Sequence, residues 1–180
     1  EVAQLIAELP GARFGAVAFA GEPLAFPMTS DGGAVGQFFR QLSPNDMPVG
    51  GTAIARALEA GRELFARDPL SRTHKKVILL VTDGEDLEGD PVSVAQASAR
   101  DEVTIHVVQI GGRTPEPLPE VDLSGEVVGW RKDPEGKPIT TQLTAAGEAQ
   151  LGKIAETTGG NVVRSEHGRH GKPDTRTAFA

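Results

Sequence analysis

Val77-Ile78-Leu79-Leu80-Val81 is an unbroken apolar run, bounded by Lys75-Lys76 before it and by Thr82-Asp83-Gly84 after it. A run without period-2 alternation reads as a strand buried on both faces, the kind found in the middle of a parallel sheet. Asp83 then stands at the carboxyl end of a central strand, with a glycine behind it that lets the backbone turn sharply. In open α/β sheets that edge is where ligands bind. A carboxylate there is either a ligand or metal contact or the cap of the next helix. Asp90 followed by Pro91 offers the better cap seven residues on. Asp83 is left for function.

The rest of the chain alternates strands and helices. Val2 to Leu9 carries Val2, Leu5, Ile6 and Leu9 on one helical stripe and stops at Pro10-Gly11. Arg13 to Ala20 is a strand, turned by Gly21-Glu22-Pro23. Leu24 to Met28 returns antiparallel to it, and Pro27 confines that return to a sheet edge. Asp31 caps a helix reaching Leu42. Thr52, after a glycine-rich loop, opens a second helix to about Arg67. Pro91 to Arg100 is a helix and Val103 to Ile110 a strand. Thr144 to Thr158 is a helix closed by Gly159-Gly160, and Asn161 to Arg164 a last strand. Such βα repetition predicts an α/β fold, a doubly wound and mostly parallel sheet with one antiparallel edge strand. Val77–Val81 and Val103–Ile110 are expected adjacent and central. Phe14, Val17, Phe38, Leu58, Leu79, Val81, Val107 and Ile154 are expected in the core.

Residues 111–143 interrupt this rhythm. Arg113 to Pro119 is proline-rich and reads as irregular. Glu126–Arg131 and Lys137–Leu143 flank the turn sequence Asp133-Pro134-Glu135-Gly136, so a β-hairpin insert is expected, with Trp130 packed at its base. Partner-contacting arm and core-covering lid are equally compatible with it. The domain is expected to span 1–164, followed by a polar, disordered tail over 165–180 that contains His167 and His170.

Composition excludes several classes of function. Over 180 residues the net charge is −7, and no basic stripe is present, which argues against nucleic acid. There is no cysteine, hence no disulfide, thiolate metal site or thiol nucleophile. No apolar run approaches the length of a membrane-spanning helix, about 18 residues. Phosphate-loop, dinucleotide and nucleophile-elbow motifs are all missing. Glu85, Asp86, Glu88 and Asp90 form an acidic cluster whose spacing does not match a calcium loop. His106 falls inside a strand and reads as a satisfied structural histidine. On these residues alone an enzyme has little to stand on. The enzyme alternative is a small-ligand or metal-dependent one that uses Asp83 with the Glu85/Asp86 cluster.

Three segments in order carry a family resemblance: Phe14-Gly15-Ala16-Val17-Ala18-Phe19-Ala20-Gly21, then Gly50-Gly51-Thr52-Ala53-Ile54 opening a helix, then Ile78-Leu79-Leu80-Val81-Thr82-Asp83-Gly84-Glu85-Asp86. Together they resemble a von Willebrand factor type A domain over roughly Val2 to Arg164. Gly129-Trp130-Arg131-Lys132-Asp133, Gly136 and Ile154-Ala155-Glu156-Thr157-Thr158-Gly159-Gly160 are similar to the bacterial aerotolerance, or Bat-type, subgroup. The resemblance implies a Rossmann-like fold with a metal-ion-dependent adhesion site at the carboxyl edge of the sheet. It assigns the metal-ligand roles to Thr52 and Asp83, with Mg²⁺ as the ion and an acidic side chain of a partner protein completing the shell. It further implies tethering to the inner membrane by segments outside this chain, which alone is expected to be soluble. The implied partners are other Bat-type proteins and a MoxR-type AAA ATPase.

The chain departs from the family at its start. It begins inside what would be the first helix, so the first central strand and its Asp-x-Ser-x-Ser loop are absent. Asp122-Leu123-Ser124-Gly125-Glu126 is no substitute, since Pro117-Leu118-Pro119 rather than a buried strand precedes it. The expectation is a truncated piece of a longer domain whose own Mg²⁺ affinity is negligible, because two oxygens cannot satisfy six-coordinate Mg²⁺. A degenerate domain that binds partners without metal is a further reading. The absent strand would lie between Arg13–Ala20 and Val77–Val81, leaving two open strand edges, a known aggregation hazard.

Overall fold

The computed structural model describes residues 2–43, 46–47, 51–84, 89–111, 115–121, 127–141 and 143–165. Helix α1 (Val2–Glu8) leads through a turn at Gly11 into the hairpin of β1 (Phe14–Phe19) and β2 (Pro23–Thr29). Helices α2 (Gly32–Gln41) and α3 (Ile54–Arg67) follow, then a 3₁₀ turn over Pro69–Thr73 and strand β3 (Lys76–Thr82). The chain continues with α4 (Pro91–Arg100), β4 (Val103–Ile110), four short strands and α5 (Ala145–Thr157), and ends its described part with β9 (Val162–Ser165).

The helix ends are written in the sequence. The Asp31 carboxylate accepts the Ala34 N–H at 3.1 Å, and Asp90 accepts that of Ser93 at 3.0 Å with Pro91 in the first helical position. The Thr144 hydroxyl accepts the Gly147 N–H at 3.0 Å. Each bond satisfies one of the amides that the start of a helix leaves without an internal partner. At the far end of α5, Gly159 takes φ +71° and Gly160 donates to the Ala155 carbonyl, as a left-handed glycine closure requires. Thr52 does not open α3 itself. That helix begins two residues later, at Ile54, with Ala53 as its cap.

The strands form two separate sheets in the body of the molecule. β1 and β2 pair antiparallel, from Phe14 opposite Thr29 to Phe19 opposite Pro23, with a bulge near Gly15. β3, β4 and β9 form a parallel sheet in that order, with Lys76 opposite Val103 and Val107 opposite Val162. The antiparallel edge expected at Leu24–Met28 is present. β4 is central, whereas β3, expected to be central, is an edge strand among the described residues. No hydrogen bonds join β1 to β3.

That separation explains the burial pattern. Ile54, Leu58, Leu80, Val94, Ile105, Val107, Leu151 and Ile154 form one core cluster, with Phe19 and Ile78 packed against it. The even-numbered side of β3 therefore faces α3, α4 and α5. Its odd-numbered side is open, with Val77 51% and Val81 39% exposed. Val81 does not belong to the core, contrary to the sequence expectation, and β3 is not buried on both faces. Leu58, Val107 and Ile154 are fully buried as expected, while Phe14, Val17, Phe38 and Leu79 are only half-buried. Helices α1 and α2 pack on each other, and α2 packs on the hairpin, where Phe38 meets Phe26 at a centroid distance of 5.3 Å.

The insert is built differently from the expected single hairpin. β5 (Glu116–Pro117) pairs with β8 (Thr140–Thr141), and β6 (Pro119–Val121) pairs with β7 (Val127–Trp130). The proline-rich stretch is thus the shared strand on which the others pair. The Asp133–Gly136 turn forms the tip: Gly136 donates to the Asp133 carbonyl at 3.0 Å, and Lys132 bridges to Pro138. Trp130 is half exposed and lies opposite Pro119, so it is not packed at a base. Glu126 and Gln142, which the reading placed in the flanking strands, and the tail residues His167 and His170 lie outside the described residues.

Candidate functional site

Thr52 and Asp83 are set in place by different elements. The Ala53 N–H donates to the Ala20 carbonyl at 2.9 Å, which holds the start of α3 against the carboxyl end of β1. Thr52 is therefore half-buried next to that strand end, just after Gly51, whose φ of +123° only glycine tolerates comfortably. Asp83 is exposed and directly follows Thr82, the last residue of β3. The backbone turns away there: Gly84 takes φ +89°, and its N–H donates to the Thr82 hydroxyl at 3.2 Å. Farther along the same loop, a Cβ on Gly89 would lie 3.0 Å from Ala55 Cβ, in the first turn of α3. Thr52 thus lies beside the carboxyl end of β1, and Asp83 directly after that of β3. Capping of α4 falls to Asp90, so Asp83 has no such structural role.

Packing fixes the loop after β3 from below. A Cβ on Gly147 would overlap the Gly84 carbonyl oxygen, so the first turn of α5 can seat on this loop only with glycine there. Buried Gln109 lies opposite Thr82 in register, and its Oε1 makes no hydrogen bond. The sequence reading passed over Arg56, one turn into α3. Its guanidinium donates to the Gly21 carbonyl at 2.7 Å and to Glu22 at 3.1 Å, and so places a cation beside the loop after β1. Nothing local in the sequence marks it, because Gly21 and Glu22 are brought to it only by the packing of α3 on the hairpin.

Thr52 and Asp83 together offer a hydroxyl and a carboxylate, and Mg²⁺ takes six oxygens at near-octahedral positions. Among the described residues no group of three or more His, Asp or Glu side chains is placed to hold a metal. These residues alone do not fit the ion. Glu85, Asp86 and Glu88, the cluster of the enzyme alternative, lie outside the described residues. His106 is half-buried and accepts the Asn161 N–H through Nδ1 at 3.1 Å, a structural bond that puts the proton of the neutral ring on Nε2. A cleft of about 320 Å³ between α3 and α4, lined by Arg56, Glu59, Asp90 and Ser93, opens near the same edge. A larger one of about 400 Å³, lined by Ile6, Leu9, Phe14 and Arg40, lies at the amino end of β1, away from Thr52.

Comparison with known proteins adds to this geometry. The sequence profile of the von Willebrand factor type A domain matches residues 2–128. The crystal structure of the conserved hypothetical protein BatB from Bacteroides thetaiotaomicron is similar, with 30% identity and a TM-score of 0.78, covering 92% of this chain and 76% of that one. An aerotolerance-related membrane protein from Bacteroides fragilis is similar to the same degree, with 28% identity and a TM-score of 0.78, covering 92% and 77%. The uncharacterized protein YwmC of Bacillus subtilis is 37% identical over 62 residues, 34% of this chain. The match spans only 26% of the length of that curated relative.

Proposed function

Since the chain belongs to the von Willebrand factor type A domain family, we propose that it is a protein-interaction module of a membrane-tethered Bat-type protein. In the complete domain it recognises an acidic group on a partner through Mg²⁺. Domains of this family generally act as interaction modules. The observation that carries the reading is the Ala53–Ala20 bond, which sets Thr52 beside the carboxyl end of β1, while Asp83 directly follows the last residue of β3. A hydroxyl and a single carboxylate leave a hard cation short of negative charge. Such an ion takes up a carboxylate from outside, with no bond broken.

The partner is a protein that offers an Asp or Glu side chain, and candidates are a MoxR-type AAA ATPase and other Bat-type proteins. Among the described residues no helix is long and apolar enough to cross a membrane, so the tether belongs to segments other than these. The test is titration calorimetry with Mg²⁺ on the 180-residue chain and on a chain extended upstream by its own coding sequence. The short chain is expected to show no binding at millimolar Mg²⁺. The extended chain should bind, and should lose that binding in Asp83→Ala and Thr52→Ala. Absence of binding by the extended chain would overturn the metal mechanism. Tight binding by the short chain would show that the ligands lie elsewhere.

A further inference from the structure

On a chain whose net charge is −7, the amino end of β3 gathers positive charge. Arg72, His74 and Lys75 are exposed between the 3₁₀ turn and the strand, and half-buried Lys76 is the first residue of β3. Val103 lies opposite Lys76 in β4, and exposed Arg100 ends α4 three residues before it. The acids of the adjoining segments are largely engaged. Asp68 pairs with Arg13, and Asp101 pairs with Arg62 at 2.6 Å. Glu102 remains. Among the described residues Arg72, Lys75, Lys76 and Arg100 enter no ion pair. The charge at this end is net positive and unneutralised.

The same turn holds an apolar side chain in water. Leu70 is 52% exposed, yet the backbone around it is pinned. The Ser71 hydroxyl donates to Asp68 at 2.9 Å, and the Thr73 hydroxyl and His74 Nδ1 donate to the Leu70 carbonyl at 3.2 and 2.7 Å. A fixed leucine ringed by cations suits a surface that is apolar beneath and anionic on top. Lipid headgroups are such a surface: phosphates pair with Arg and Lys, and the acyl boundary below takes the leucine. Nucleic acid has the phosphates without that boundary, and no aromatic residue in 69–76 could stack on a base. We propose that the amino end of β3 docks on an anionic lipid surface through Leu70, Arg72, Lys75, Lys76 and Arg100. Asp83 follows the other end of this strand, about 20 Å away, and is thereby turned from the bilayer toward solution. The docking rests on the membrane-tethered reading above only for the nearness of a bilayer, and no metal enters it.

The test is flotation of the 180-residue chain with vesicles of phosphatidylglycerol and phosphatidylcholine in equal parts, and with phosphatidylcholine alone. The chain should float with the mixed vesicles only, and added salt should release it, because salt screens exposed charges. Each Lys or Arg near an anionic surface contributes about fivefold to binding. The triple variant Arg72→Gln, Lys75→Gln, Lys76→Gln should therefore bind about a hundredfold more weakly. Should it melt early, Arg72→Gln with Lys75→Gln, both exposed, reads the same effect at about twenty-fivefold. Leu70→Ser should weaken binding with no change of charge. The same charge change in the insert, Arg131→Gln with Lys132→Gln and Lys137→Gln, should leave binding within about twofold, since those side chains lie outside the patch. No flotation with mixed vesicles, equal flotation with phosphatidylcholine, an equal loss in the insert variant, or indifference to Leu70→Ser would overturn the proposal. Capture by immobilised polyglutamate in preference to vesicles, lost in the triple variant, would overturn it in favour of an acidic protein. The flotation contains no Mg²⁺ and the Mg²⁺ titration no vesicles, so either reading can fail alone.

Discussion

Asp68 follows the last turn of α3 and is held by a forked contact, Arg13 Nε to Oδ2 at 3.0 Å and Nη2 to Oδ1 at 2.9 Å. The Ser71 hydroxyl adds a third bond at 2.9 Å, and Asp68 is only 8% exposed. Arg13 holds the carboxyl below its ordinary value, burial works the other way, and Ser71 supports Arg13. A carboxyl whose pKa is lower in the folded chain than in the unfolded one contributes stability at pH values above the unfolded value, about 3.9. That contribution is lost as the pH falls through the folded value. Asp68→Asn is therefore expected to lower the melting temperature at pH 7 and to flatten its fall below about pH 4. Calorimetric melting from pH 2 to 7 checks this; a parallel offset at every pH would show that the ion pair contributes nothing to the acid limb. Nothing in the sequence pairs Arg13 with Asp68, because the two are brought together only by the packing of α3 on β1.

Elements with local signals were legible and those defined by distant contacts were not. Asp31, Asp90 with Pro91, and Gly159-Gly160 mark helix ends through bonds to residues three to five away, so their roles follow from the sequence. The pairing of Glu116–Val121 with residues on both sides of a turn has no such signal, and proline in a strand argues against it except at an edge. The same applies to Trp130, whose exposure depends on what lies above it. Val127, Val128 and Trp130 are 60%, 62% and 50% exposed, which favours an arm over a lid. If the insert is an arm, deleting residues 129–138 is expected to leave the melting temperature of the rest of the chain little changed, since the side chains it removes there are not part of the core cluster. In the intact chain, the fluorescence of its single tryptophan should be quenched freely by iodide. A protected tryptophan together with a large loss of stability on deletion would identify the insert as a cover.

At the scale of the molecule, the run Val77–Val81 shows what one sequence cannot say by itself. An apolar run predicts burial on both faces only if something covers both, and the cover is a property of the other elements. Here α3, α4 and α5 cover one face, so Ile78 and Leu80 join the core, and the open side leaves Val77 and Val81 in solvent. The position of Asp83 directly after the last residue of β3 was legible because it depends on the apolar run and the glycine turn alone. The edge position of β3 was legible only through the family resemblance. Two neighbouring substitutions separate the faces. Leu80→Ala removes a side chain that is 4% exposed and should destabilise the fold by about 2–5 kcal/mol. Val81→Ala, in the next residue and 39% exposed, should cost under about 1 kcal/mol, because little apolar area returns to water. Urea unfolding of both variants decides the matter. Equal and large losses would mean that the odd-numbered face of β3 is covered in solution, by a strand, a helix or a second copy.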